Sequence, residues 1–319
     1  MSAIGTFETD YETATERCGL LDRSDRGKLA LTGAGTGEFL QGQVSNDVLA
    51  LTPGTGCYST FLTPKGKMLG DLRILDAGEE LLLDTERAAL QELFDMIRRF
   101  SIGHDVELHK RTLQRGLLSL IGPGADDVVT SAGAAIPGSS EHAHIAGRIG
   151  AAEVRLIRTD TGIDVLCDID AVDAVRGALV DAGAAELGEE AAECVRIERG
   201  RPRYGIDLDD SVIPQEAGLN ERAVSFTKGC YVGQETVARL FYKGKPNRQL
   251  LGLRGSRPIP VGTILTHAGR EVGKVTSSAS SPRLGPIALA LVRREAPIGT
   301  VVAAGDDGSG TVVSLPFSD

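Results

Sequence analysis

The chain of 319 residues is long enough for two domains, or for one large domain with an appendage. Its net charge of −10 argues against a general nucleic-acid coat, because phosphate binding needs clustered cations, and we expect no direct DNA binding. No apolar run reaches about 18 residues and the acidic N-terminus lacks the apolar region of a secretory signal, which predicts a cytoplasmic protein without a membrane span.

Helices alternate with short strands in the first part of the chain. Residues 8–18 are predicted to form a helix that Gly19 stops, because glycine is typical just after a helix. Residues 28–32 follow as a strand, and the apolar spacing of residues 36–44 predicts a second helix. Strand-like stretches then flank a turn at residues 63–66.

A weak internal repeat follows. Residues 81–84 precede a helix whose apolar positions 90, 93, 94 and 97 lie on one face. Roughly 84 residues later, residues 165–168 precede a helix that carries Val172, Val175 and Leu179. Each copy is a strand, an acidic turn residue and an amphipathic helix, which predicts a duplicated α+β unit. Between them, residues 132–138 are rich in glycine, alanine and proline and predict an exposed loop.

The pattern changes after about residue 245. Short apolar runs separated by glycine, proline and serine predict a small antiparallel β-barrel. These runs are residues 250–253, 263–265, 272–275, 287–292, 301–303 and 311–315. The segment 243–247 is the natural boundary, so we expect one domain at residues 1–246 and a second at residues 247–319.

The cysteines and histidines show no spacing typical of a metal site. No Cys-x-x-Cys pair occurs among the five cysteines. His142 and His144 lie in a loop of small residues, where such a pair is usually solvated. We therefore expect no permanent metal site. The five cysteines are Cys18, Cys57, Cys167, Cys194 and Cys230.

Residues 228–235, Lys-Gly-Cys-Tyr-Val-Gly-Gln-Glu, are the most informative motif of the chain. A neighbouring ammonium favours a thiolate, so Lys228 is expected to lower the pKa of Cys230. Gly229 and Gly233 would permit a positive φ or the close approach of a ligand. The alternative, from the residues alone, is that Cys230 is a small buried hydrophobe in a tight turn.

A basic run follows this octet in an otherwise acidic protein. It is either a solvated face or an electropositive mouth for a polyglutamate tail or a phosphate-bearing partner. Aromatic residues interleaved with it could stack on a planar ring. The cations are Arg239, Lys243, Lys245 and Arg248, and the aromatic residues are Tyr231, Phe241 and Tyr242.

The octet resembles the signature of the YgfZ family, folate-binding relatives of the glycine-cleavage aminomethyltransferase (T-protein). Other stretches, in the same order, are similar to the wider aminomethyltransferase superfamily, so the resemblance covers nearly the whole chain. It implies a duplicated α+β folate-binding part followed by a six-stranded barrel. The stretches are residues 42–47, 64–71, 196–200, 204–208, 214–219 and 281–285.

The resemblance implies tetrahydrofolate, mono- or polyglutamylated, as the cofactor. It implies that Glu198 contacts the pterin, although from the residues alone Glu198 belongs to a solvated ion-pair cluster. It places Asp71 near the reactive part of folate, where the alternative is a turn or capping carboxylate. The transferases usually show two consecutive acids there, whereas this chain has Gly70 before Asp71, which argues against aminomethyl transfer.

The remaining candidates are of second rank. Asn46 and Asp47 match a pair near the folate cavity, and they are also ordinary turn residues. Tyr204, Tyr231 and Arg239 complete the candidate cofactor-binding residues.

The resemblance implies folate-dependent support of iron–sulfur cluster assembly or repair, and of iron–sulfur enzymes such as those that thiolate transfer RNA. Iron–sulfur client or assembly proteins would be its partners, and we expect a monomer or weak oligomer. Cys230, Lys228 and Asp71 would carry the chemistry, with Cys230 as a transient cluster ligand, a persulfide acceptor or a nucleophile. The competing hypotheses are an aminomethyltransferase or other one-carbon transferase, and a binding scaffold in which folate is structural.

Overall fold

The computed structural model of the protein describes residues 6–305 and 308–318. The chain forms two compact units, each assembled from separate segments. The first comprises Met1–Phe61, Leu69–Ala192 and Arg222–Val232, and the second comprises Leu62–Met68, Glu193–Glu221 and Gly233–Asp319. The division into residues 1–246 and 247–319 stays a prediction.

The described residues contain both helices and strands throughout. The helices are α1 (Phe7–Glu16), α2 (Thr36–Gln43), α3 (Leu90–Phe100), α4 (Ala125–Ser131), α5 (Val172–Asp181), α6 (Glu189–Glu198), α7 (Asn220–Ala223) and α8 (Gln234–Lys243). The strands before α6 are β1 (Gly19–Asp22), β2 (Gly27–Thr32), β3 (Gly56–Leu62), β4 (Met68–Asp76), β5 (Leu81–Thr85), β6 (Glu107–Lys110), β7 (Arg115–Ile121), β8 (His144–Ile149), β9 (Ala152–Arg158), β10 (Gly162–Asp168) and β11 (Ala185–Glu186). The strands after α8 are β12 (Arg248–Gly255), β13 (Ile264–His267), β14 (Arg270–Ser281), β15 (Gly285–Arg293), β16 (Val301–Ala304) and β17 (Gly308–Val313).

The first unit is built on two sheets. One has the strand order β3-β4-β5-β2-β6 and the other the order β11-β1-β7-β10-β9-β8. In the second sheet, Leu118, Leu120 and Val165 are fully buried and share one apolar cluster with Val175 and Leu179 of α5. The apolar face of the helix therefore covers one face of its sheet, as the periodicity predicts.

The internal repeat is present in the first unit. β5 and β10 each lead through a single 3₁₀ turn, Arg87–Ala89 and Ile169–Ala171, into α3 and α5. The two helices begin at residues 90 and 172, 82 positions apart. The predicted α+β duplication is confirmed, and residues 132–138 between the copies contain no helix or strand.

The second unit contains the predicted barrel. Six strands close in the order β12-β15-β14-β13-β16-β17, with antiparallel pairing between neighbours. Each strand contains or overlaps one of the six apolar runs of the sequence. The interior is filled by small and branched apolar side chains, among them Leu253, Leu265, Val275, Ala290, Val302 and Val312.

The predicted end of the first helix is wrong. α1 ends at Glu16, and Gly19 lies in β1, paired with Ile121 and Ala185. A Cβ at position 19 would lie 3.0 Å from the Leu187 side chain, so the glycine serves close packing in the strand rather than a helix stop. None of the helices in the described part of the chain is long and apolar enough to cross a membrane.

Candidate functional site

Asp71 lies in the middle of β4 and is buried, with 4% of its surface exposed. The hydroxyl of Tyr58, on β3, donates a hydrogen bond to Oδ2 of Asp71 at 2.6 Å. Burial raises the pKa of Asp71 to about 6, although the bond from Tyr58 opposes this shift. Asp71 is therefore neither a turn nor a capping residue, and that alternative is wrong.

Tyr58 is contacted at its ring by a guanidinium and at its main chain by an amide. Arg222 lies with its guanidinium carbon 5.0 Å from the ring centroid, a cation–π contact. Nδ2 of Asn46 donates to the carbonyl oxygens of Tyr58 and Arg222 at 2.8 and 3.2 Å. Asn46 thus ties the two segments together, while Asp47 accepts a bond from Gln41. No sequence motif marked Tyr58 or Arg222.

Two buried nitrogens near this group lack hydrogen-bond partners among the described residues: Nδ1 of His142 and Nε of Arg222. Arg222 also forms an ion pair with Glu141. Burial and nearby guanidinium groups lower the pKa of His142 to about 4, so the imidazole is neutral at physiological pH. His142 and His144 are 7% and 5% exposed, so the expected solvated pair is wrong.

The ammonium of Lys228 is directed at the main chain. Nζ donates to the carbonyl oxygens of Gln41, Val44 and Asn46 at 2.7, 2.7 and 2.8 Å. These oxygens lie at and just beyond the C-terminus of α2, where carbonyls lack helical partners and a cation is favourable. An ammonium has three hydrogens, so no donor is left for the Cys230 thiolate.

The surroundings of Lys228 are partly buried. Burial lowers the pKa of Lys228 to about 8, although Asp47 and Cys57 oppose the shift. Its Nζ lies 5.1 Å from the ring centroid of Tyr231, which is 7% exposed. Tyr231 therefore contacts Lys228 within the unit, where one face of its ring is already occupied.

Cys230 is exposed, whereas Cys18, Cys167 and Cys194 are buried and Cys57 is half-buried. Burial raises the pKa of Cys57 to about 12, which disfavours its thiolate. The alternative of a buried Cys230 is wrong. Gly233 has φ +86°, and a Cβ there would lie 2.7 Å from the carbonyl oxygen of Thr63, so glycine is required directly before α8. A Cβ at Gly229 meets open space.

In the second unit, Glu198 ends α6 and is 6% exposed, so the solvated cluster is wrong. Its Oε1 accepts a hydrogen bond from Ser281, and its Oε2 lies 3.4 Å from Nη2 of Arg283. Tyr204 is half-buried, with its hydroxyl 3.5 Å from the carbonyl oxygen of Met68.

The basic run contains three exposed cations and one arginine that forms an ion pair. Arg239, Lys243 and Lys245 are exposed on or just after α8. Phe241 and Tyr242 are also exposed there, in a T-shaped pair with centroids 5.0 Å apart. Arg248 instead pairs with Glu216 and bonds to Ser211, so it fixes the start of the barrel.

Two protein-family models match this chain, one over its N-terminal part and the other over its C-terminal barrel. The model of the GCVT N-terminal domain matches residues 3–228, and the model of the glycine cleavage T-protein C-terminal barrel domain matches residues 248–319. The chain belongs to the glycine-cleavage T-protein family.

The relatives of this T-protein family member include named transferases. An aminomethyltransferase of Geobacillus kaustophilus is 30% identical over 98% of this chain and 91% of its own. A chloroplastic protein of Arabidopsis thaliana, provisionally named a transferase, is 29% identical over 93% of this chain and 71% of its own. The crystal structure of the glycine cleavage system aminomethyltransferase T from Bartonella henselae matches with a TM-score of 0.88 and 26% identity, covering 98% of this chain and 89% of the other.

This T-protein family member has Gly70 at the position where the resemblance leads us to expect the first of two consecutive acids. A Cβ at position 70 would lie 2.6 Å from Cβ of Ala89 and 2.6 Å from two ring atoms of Phe61. The space for a second carboxylate before Asp71 is therefore filled by apolar side chains. Among the described residues, no group of three or more histidine, cysteine or acidic side chains could hold a metal ion.

Proposed function

We propose that this protein binds tetrahydrofolate in the cytoplasm and supports iron–sulfur cluster assembly or repair through Cys230, including the iron–sulfur enzymes that thiolate transfer RNA. The observation that carries the proposal is the exposure of Cys230, two residues after an anchored lysine. Lys228 fixes the start of this loop in the first unit through three main-chain bonds.

The buried acids fit a folate cofactor. The pterin carries ring and exocyclic N–H donors, and a buried carboxylate is a strong acceptor for them. Glu198 and Asp71 are both nine-tenths or more buried, and each keeps its orientation through a hydroxyl donor, Ser281 and Tyr58 respectively. In the first unit, the unpartnered nitrogens of His142 and Arg222 also suit a polar ligand. Folate, when bound, would supply one-carbon or redox chemistry.

A single exposed thiol limits the role of this chain in cluster chemistry. Cys230 could supply one ligand to an iron–sulfur cluster in transit, and the other ligands would come from a client or assembly protein. It could equally accept a persulfide sulfur or act as a nucleophile. Because Lys228 is bonded to main-chain oxygens, the reactivity of Cys230 would depend on its exposure rather than on a hydrogen bond from Lys228.

The test combines binding and cell assays. Isothermal titration with mono- and triglutamyl tetrahydrofolate should show binding to the wild type, loss of affinity in Glu198→Ala, and unchanged affinity in Cys230→Ser. In cells that lack the protein, Cys230→Ser should fail to restore the activity of iron–sulfur enzymes. Absence of folate binding to the wild type would remove the ligand assignment, and full rescue by Cys230→Ser would remove the role of the thiol. If the exposed cations near α8 serve the tail, the triglutamyl form should bind tighter at low salt and lose this advantage as salt rises.

A second candidate function is aminomethyl or other one-carbon transfer, which the relatives named aminomethyltransferase favour. Gly70 argues against it, because the packing of Phe61 and Ala89 leaves no room for a second acid. A folate-dependent glycine-cleavage assay distinguishes the two: turnover that Cys230→Ser retains would support the transferase.

A further inference from the structure

The first unit contains a cleft of about 340 Å³, within the size range of small-molecule sites. It is separate from every residue proposed above for folate or for the thiol chemistry. One part of its lining is apolar, and the rest carries two cations and several polar side chains. The lining residues are Leu29, Arg87, Leu90, Gln91, Phe94, Lys110, Thr112, Leu113 and Gln114.

The two cations of this cleft lack an acidic partner among the described residues. Nζ of Lys110 lies 4.4 Å from the ring centroid of Phe94, a cation–π contact. Within residues 6–305 and 308–318, neither Lys110 nor Arg87 forms an ion pair. Leu113 is 84% exposed at the rim, although it is a large apolar residue. An unpaired pair of cations beside uncovered apolar surface is the pattern of a site for an amphipathic anion.

The internal repeat supplies a comparison within the same molecule. α5 is the counterpart of α3, so Arg176 occupies the position of Phe94, 82 residues later. β2 and β7 are counterparts, because Leu29 lies opposite Leu83 of β5 and Leu118 lies opposite Val165 of β10, 82 residues later. On the other side of these strands, Lys110 of β6 lies opposite Leu29 and Asp22 of β1 lies opposite Leu118, both in antiparallel pairs. In the second copy Arg176 forms ion pairs with Asp22 at 2.5 Å and with Glu186 at 3.3 Å, so the charges there are balanced within the protein. In the first copy Lys110 lies over the ring of Phe94, and no acidic side chain among the described residues pairs with it.

We propose that this cleft binds a small amphipathic carboxylate. Its flat apolar body would lie against Leu90, Phe94 and Leu113, and its carboxylate would pair with Arg87 and Lys110. The carboxylate thereby takes the place of the acidic side chains that pair with Arg176 in the second copy of the repeat. The proposal does not depend on the proposed function, because no residue is shared between them.

The experiment is a ligand-observed NMR titration of the full chain with phenylacetate and its neutral isostere phenylacetamide. Phenylacetate should bind with a Kd on the order of 1 mM, as expected for a ligand of about ten heavy atoms, and phenylacetamide about tenfold more weakly. Arg87→Gln and Lys110→Gln should each weaken phenylacetate binding at least threefold, about what a partly exposed ion pair contributes. Arg99→Gln, at the far end of α3 and outside the cleft, is the matched control and should leave the Kd unchanged.

Three outcomes would overturn the proposal: no saturable binding of phenylacetate, equal affinity for the amide, or an unchanged Kd in the Arg87→Gln, Lys110→Gln double variant. Competition separates this cleft from the folate site. Tetrahydrofolate should leave phenylacetate bound, and the double variant should keep its folate affinity. Displacement by folate would mean that the cleft belongs to the folate site, which also ends the proposal.

Discussion

The hydroxyl of Tyr58 donates a 2.6 Å hydrogen bond to Oδ2 of Asp71, on the neighbouring strand of the same sheet. This bond favours the ionised carboxylate, yet burial outweighs it and raises the pKa of Asp71 to about 6. The carboxyl group therefore exchanges its proton close to physiological pH, a property that would suit the proposed contact with folate.

Asp71→Asn should change the pH dependence of stability. A carboxyl whose folded pKa is raised keeps its proton in the folded state while the unfolded chain has released it, so its contribution to stability falls as the pH rises from about 4 to about 6. The shift corresponds to about 3 kcal/mol. Part of this change is complete by pH 4, so the free energy of unfolding of the variant should rise by about 2 kcal/mol relative to the wild type between pH 4 and pH 7.

Urea unfolding at both pH values measures this difference, and any constant effect of the amide cancels. A difference between variant and wild type that is the same at pH 4 and pH 7 would show that Asp71 has an ordinary pKa. Folate affinity of the variant, measured at pH 7, reports separately on the proposed ligand contact.

Position 70 should not tolerate a side chain. Gly70→Ala forces a Cβ to within 2.6 Å of Ala89 and of the Phe61 ring, so the core must shift. We expect a loss of about 2 kcal/mol in the free energy of unfolding, a typical cost of overpacking. Gly70→Asp should cost more, because it also buries a charge.

Gly177→Ala is the control for this prediction. Gly177 lies within α5, and a Cβ there meets open space, so alanine should be neutral or stabilising by about 0.5 kcal/mol. If Gly70→Asp were as stable as the wild type and active in glycine cleavage, the distinction from the transferases would disappear.

The sequence predicted the elements whose residues are neighbours in the chain. Each barrel strand has its own apolar run bounded by turn residues, and both copies of the repeat show the 3.6-residue period in their helices. The surroundings of the site depend on contacts between distant residues. Lys228 bonds to the carbonyl of Gln41, 187 positions away. Because every residue has a main-chain carbonyl, the residue types do not show which one accepts a hydrogen bond. The octet therefore suggested Cys230, two residues away, as the partner of Lys228.

The burial of Asp71 and Glu198 also depends on contacts between distant residues, so the sequence did not predict it. Position 71 follows a glycine, a pattern typical of turns, and only the pairing of β4 with its neighbours shows that the strand continues through it. Glu198 stands near Arg196 in the chain, but Arg196 pairs with Asp207 and Glu193, whereas the buried hydroxyl of Ser281, 83 residues away, donates to Glu198.

Lys228→Met should destabilise the first unit. The substitution keeps the length and apolar stem of the side chain but leaves three main-chain carbonyl oxygens without their donor. The expected loss in the free energy of unfolding is about 3 kcal/mol, since unsatisfied buried acceptors are costly. Lys243→Met, on the exposed part of α8, is the matched control and should change stability by less than about 0.5 kcal/mol. Equal effects of the two substitutions would contradict the anchoring role of Lys228.

Alkylation should distinguish Cys230 from the other four thiols. Cys230 is exposed, while burial raises the pKa of Cys18 to about 12 and that of Cys167 to about 11, so their thiolates are scarce at pH 8. Iodoacetamide added to the folded protein should modify one thiol rapidly, and mass spectrometry of the peptides should place it at Cys230. Cys230→Ser should abolish the fast phase, whereas Cys57→Ser, at the half-buried thiol, should leave it intact. Rapid modification of several cysteines in the native wild type, at rates matching those in urea, would contradict the selective exposure on which the proposed function depends.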